Sequence, residues 1–110
     1  MTKEKWREIK ETFTALEEML WQTDSVEDVV TAANFLELLA KAKTFLDELR
    51  LEVFEDTLVD DFRNNIENAI VSIETCIGLV GKEKYVDTLQ GLICKAKENL
   101  RIVNNYLKGW

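Results

Sequence analysis

Apolar residues recur at alternating spacings of three and four along nearly the whole chain, and no proline interrupts them. That rhythm lines side chains along one stripe of an α-helix and conflicts with the period of two that a half-buried strand requires. Near the C-terminus Val86, Leu89, Ile93, Ala96, Leu100, Val103 and Leu107 hold it without a break. Trp6, Ile9, Phe13, Leu16 and Leu20 do the same near the start, and Phe62, Ile66, Ala69, Ile73, Cys76 and Val80 carry it through the third quarter. The expected fold class is therefore all-α, and 110 residues suffice for one domain, 1–110, with a proper core.

Breaks in the rhythm set the expected helices at about 2–22, 26–51, 57–79 and 82–108. Thr23, Asp24 and Ser25 are capping residues in a row, and an acid three positions after Asp24 or Ser25 suits the positive end of the helix that follows. Gly78 and Gly81 offer the left-handed positions that end helices. Gly91 falls on the outward face of the last helix, where a glycine is tolerated at a cost of ~1 kcal/mol. On the third helix Asn64, Glu67, Asn68, Ser72 and Thr75 form the outward face. Trp21 stands one residue off its seam and is expected to cap one end of the assembly. Short connections between amphipathic helices of similar length predict an antiparallel up-down-up-down four-helix bundle.

The junction between the second and third helices is the most charged part of the chain. Asp47, Glu48, Glu52, Glu55, Asp56, Asp60 and Asp61 face a single base, Arg50, giving a local charge of −6 within a net −7. Thr57 with Asp60 at the third helical position makes a capping box, and Arg50 suits the end of the preceding helix, so a turn is expected between Leu51 and Thr57. The alternative is one long fused helix, which would need a second chain to cover it and so form a dimer. In the bundle topology both chain ends lie at the same end as this acidic joint, bringing Lys3, Lys5, Arg7, Lys10 and Lys108 near it.

Several functions are argued against by what the sequence lacks. With no histidine, His-based triads, carboxylate–histidine di-iron sites and the common zinc sites are removed. Cys76 and Cys94 have no base to activate them and are expected to be two buried thiols, spaced too far along a hairpin to form a disulfide. No phosphate-cradling loop is present, since GLVGK has the wrong spacing. Glu8 with Glu11, and Glu52 with Glu55, form E-x-x-E pairs that with Asp56 and Asp60 would have to converge for a magnesium-dependent helical nucleotide hydrolase; no matching E-x-x-D follows. Neither a catalytic nor a metal residue is therefore named, and no cofactor is expected. An acidic balance argues against direct nucleic-acid binding, the lack of a long apolar run against a membrane span, and the charged N-terminus against a signal core, leaving a cytoplasmic location as the default.

The remaining signal is the second helix, which is apolar over an unusually wide arc. Ala32, Phe35, Leu39, Ala42, Leu46, Leu49 and Val53 form one seam; Val29, Ala33, Leu36 and Ala40 form another beside it. A wide core face is the first account of this arc; the alternative is that Phe35, Leu38 and Phe45 border a surface covered by another protein, joined by Trp21 or Trp110. The expected function is that of a non-enzymatic, acidic helical protein that binds another protein, a basic one suiting its charge, in the manner of an immunity protein, inhibitor, chaperone or adaptor. The alternatives are a homodimeric structural protein and the magnesium-dependent hydrolase.

Overall fold

A computed structural model of the chain describes residues 2–22, 26–51, 57–82, 84 and 86–108. They form α1 (Lys3–Trp21), α2 (Val26–Val30), α3 (Ala33–Leu51), α4 (Thr57–Leu79) and α5 (Val86–Leu107), with no strand among the described residues. No helix of the described residues is long and apolar enough to cross a membrane.

The four long helices close into a ring in which each packs on two others. α1 touches α3 and α5, and α4 touches α3 and, most extensively, α5. Interhelical contacts give the directions. On α1 and α5, Asn104 reaches Phe13 while Lys97 covers Trp21, so the two helices run in opposite senses. Lys43–Glu74 and Arg50–Glu67 align α3 and α4 oppositely, as Phe62–Tyr106 and Cys76–Leu89 do for α4 and α5. The core is built from the seams: Ile9, Phe13, Leu16 and Leu20 meet Phe35, Leu39, Leu46 and Leu49, then Phe62, Ile66, Ile73, Ile93, Leu100 and Leu107, all buried. Each such side chain contributes about 1.5–3 kcal/mol of transfer free energy.

Local chemistry sets several of the boundaries. Thr2 lies outside α1 as its N-cap, its hydroxyl accepting from the Lys5 amide at 3.2 Å, so the helix starts one residue later than expected. α4 occupies the expected range, 57–79. Gly81 takes the left-handed conformation at φ 83°, and the Lys82 amide donates to the Leu79 carbonyl at 3.1 Å to close the turn. Gly78, by contrast, stays within α4. α5 begins at Val86, the first residue of its seam, rather than at 82.

The helix expected over 26–51 is in fact two. Val29, Val30 and Thr31 are consecutive β-branched residues, which weaken a helix locally. Packing supplies the stronger reason. In an unbroken helix Val30 would share a stripe with Glu37 and Thr44, seven and fourteen residues on, and both of these are exposed. Breaking the helix at Thr31 and Ala32 lets Val30 turn inward, where it is fully buried.

Residues 52–56 lie outside the described residues, and with them Glu52, Glu55 and Asp56. α3 and α4 nevertheless lie side by side. One helix spanning 26–79 would run about 80 Å at ~1.5 Å per residue, whereas the longest dimension of the molecule is 45 Å. The fused helix is not formed. Arg63 of α4 donates to the carbonyl of Leu49 at 3.2 Å, satisfying a last-turn acceptor of α3.

Three further expectations are corrected. Cys94 is exposed on α5, and only Cys76 is buried; both thiols are free. Ser72 is buried rather than outward, because it lies one turn before Cys76 on the edge of α4 that meets α5. Trp21 does not cap the assembly but stands 59% exposed, with the Lys97 ammonium 4.6 Å from its ring centroid.

Candidate functional site

Among the described acids of the joint, Asp47, Glu48 and Asp60 are paired. Lys5 reaches Glu48 at 3.1 Å, Arg50 reaches Asp47 at 3.5 Å and Glu67 at 3.2 Å, and Arg63 pairs with Asp60. Asp61 is exposed near the start of α4, where its backbone carbonyl accepts from the Asn65 side-chain Nδ2 at 2.8 Å. Of the bases expected near this joint, Lys5 pairs with one of its acids, whereas Lys10 and Lys108 line a groove between α1 and α5. Exposed pairs of this kind contribute little to stability individually.

The predicted apolar surface divides in two. Phe35 is fully buried and Phe45 is 4% exposed, so neither forms part of an exposed patch. Both point along the inner stripe of α3 with Leu39, Ala42, Leu46 and Leu49. Leu38 is half-buried at the edge of that stripe. Trp21 lies towards α5, away from Leu38 and Phe45, and Trp110 is outside the described residues. The structure therefore does not bring the four described residues, Trp21, Phe35, Leu38 and Phe45, into one exposed patch.

What it does form is a groove of about 710 Å³ between α1 and α3. Lys5, Glu8, Glu11 and Thr12 line it from α1, and Leu38, Ala40, Lys41, Thr44 and Phe45 from α3. Helical spacing explains both walls: 5, 8 and 12 share one edge of α1, and 38, 41 and 45 share one edge of α3. The groove stays open because Ala40 and Thr44 are small, and the Thr44 hydroxyl turns back to the Ala40 carbonyl at 3.1 Å. Lys5 closes one end, paired to Glu48 with its ammonium 4.8 Å from the Phe45 ring centroid. Glu8 and Glu11 are exposed on the rim and make no ion pair among the described residues.

This arrangement offers a mixed surface, apolar at Leu38 and Ala40 and charged along the rim. Among the described residues no group of three acids or cysteines is placed to hold a metal ion. Glu8 and Glu11 lie in the groove, while Asp60 is bound to Arg63 on α4. Burial pushes the Cys76 thiol up to about 11, which keeps it protonated and unreactive. The exposed Glu98 carboxyl is held below its usual range by its hydrogen bonds to Arg101.

Sequence periodicity missed Thr12, Ala40 and Thr44. The available signal was the second seam of α3, where Ala33, Leu36 and Ala40 prove exposed rather than buried. Comparison with protein-family models, with curated proteins and with solved structures gives no match to this chain.

Proposed function

We propose that this chain is an antiparallel up-down-up-down four-helix bundle that acts in the cytoplasm, without catalysis, by holding a segment of another protein in the α1/α3 groove. The observation that carries the reading is the groove itself: an opening of about 710 Å³ beside the partly exposed Leu38, kept open by Ala40 and Thr44. An amphipathic helix laid into such a groove buries its apolar face on Leu38 and Ala40 while its polar edge meets the rim. Glu8 and Glu11 favour a basic residue on that segment, and Lys5 is already committed to Glu48. Net charge of −7 adds long-range attraction for a basic partner.

The test is affinity capture from the source cell with the wild-type chain and with Ala40→Trp and Leu38→Asp, followed by mass spectrometry. A partner retained by the wild type and lost by both variants, each still helical by circular dichroism, is the expected result. Capture that survives both substitutions overturns the reading.

A further inference from the structure

The groove between α1 and α5, about 300 Å³ in volume, is built around a carboxylate that is only half satisfied. Glu17 of α1 is half-buried there, and the side-chain amide of Asn104, itself 8% exposed, donates to its Oε1 at 3.1 Å and to the Phe13 carbonyl at 3.2 Å. Both of those partners are acceptors, so the Asn104 nitrogen must face them and its oxygen must point away. Two oxygens are left without a donor among the described residues, Oε2 of Glu17 and Oδ1 of Asn104. The Asn104 oxygen is enclosed and adds negative potential beneath the groove, while the Glu17 carboxylate lines the groove itself. Cations stand around the same opening. Lys10, Arg101 and Lys108 line it; Arg101 is paired with Glu98, and Lys108 makes no ion pair among the described residues.

This distribution of charge selects against simple ions. An amine alone would meet Glu17 but face three cations, whereas an anion alone would meet those cations but lie against a carboxylate and an oxygen that lacks a donor. A molecule that carries both charges a few bonds apart satisfies each side. A volume of about 300 Å³ is at the lower end for ligand pockets and suits a molecule of metabolite size. We propose that the α1/α5 groove binds a free α-amino acid, its ammonium donating to Glu17 and its carboxylate turned to Lys108, with the buried Leu107 as the apolar part of the lining. This site shares no residue with the α1/α3 groove and stands whether or not that groove holds a protein.

Nuclear magnetic resonance titration of the full chain with each of the common amino acids, up to about 10 mM and read at the Asn104 side-chain amide, tests it. At least one amino acid should move that signal with a Kd of about 1 mM or tighter. Glu17→Gln keeps an oxygen for Asn104 to donate to and removes only the charge, so it should weaken binding at least about tenfold while the chain stays folded by circular dichroism. Lys108→Ala, an exposed change, should weaken the same ligand. Acetylating the amine of that ligand should also reduce its affinity at least about tenfold, and so should converting its carboxylate to an amide. Titrations in which no amino acid moves the Asn104 signal would overturn the proposal and leave the groove to water. Undiminished binding to Glu17→Gln, or equal binding of the acetylated ligand, would overturn it as well.

Discussion

The side-chain amide of Asn104 donates to the backbone carbonyl of Phe13 across 3.2 Å, joining α5 to the middle of α1. The same nitrogen donates to Glu17 at 3.1 Å, and Asn104 is buried with no donor for its own carbonyl oxygen among the described residues. Asn104→Asp replaces both donated bonds with a carboxylate facing a carbonyl and Glu17, and should cost about 2–4 kcal/mol in urea unfolding. Asn104→Leu should stay within about 1 kcal/mol of wild type, since it also removes the unsatisfied oxygen and the helix already supplies a donor to Phe13.

Gly91 lies within α5, and a Cβ added there would meet nothing within 4 Å. Gly91→Ala should therefore raise stability by about 1 kcal/mol, a gain of roughly 4–8 °C in Tm for a chain of this size. Gly81→Ala, at φ 83° and equally uncrowded, should lower stability instead. Differential scanning calorimetry of the two variants separates conformational strain from steric space.

Cys76 makes the stability depend on alkaline pH in a defined direction. Its thiol is raised from 9.0 to about 11 by burial, so the folded chain holds this proton where the unfolded chain releases it. The associated stability is complete below pH ~9 and declines as pH rises from there through about 11, by roughly 2–3 kcal/mol in all. Comparing denaturant unfolding of wild type and Cys76→Ala from pH 8 to 11 should show a shallower decline in the variant. Parallel declines would remove the assignment.

Phe62 stacks on Tyr106 with ring centroids 4.5 Å apart and lies 6.2 Å from Trp6, joining the start of α4 to both chain ends. It is fully enclosed, so Phe62→Ala should cost about 3–5 kcal/mol and alter the near-ultraviolet circular dichroism. Tyr106→Phe keeps the stacked ring and should cost less than Phe62→Ala in denaturant unfolding.

Much of this fold is written in local patterns. The end of α4 follows from the Gly78–Gly81 region, and the Trp6–Leu20 and Leu89–Leu107 seams each name an inner face. Where the reading failed, it did so because periodicity assigns a face and not a neighbour. The polarity of Ser72 predicts an outward place, yet the close α4–α5 contact covers it; the chemistry of Cys94 predicts an inward one, yet it lies one residue outside the buried Ile93.

The sequence alone determined that this chain is helical, where most of its helices end and which stripe of each is apolar, because a period of 3.6 and a few capping residues are local properties. Only the tertiary structure decided which of α3's two apolar seams is buried. α3 has a wide apolar arc, and α1 and α4 can cover only part of it, so Phe35 and Phe45 go inside while Leu36 and Ala40 stay out. The same closure decided that Val30 turns inward, at the cost of breaking a helix that its own pattern would have continued. Burial is a property of what lies opposite, and that is set only when the helices meet.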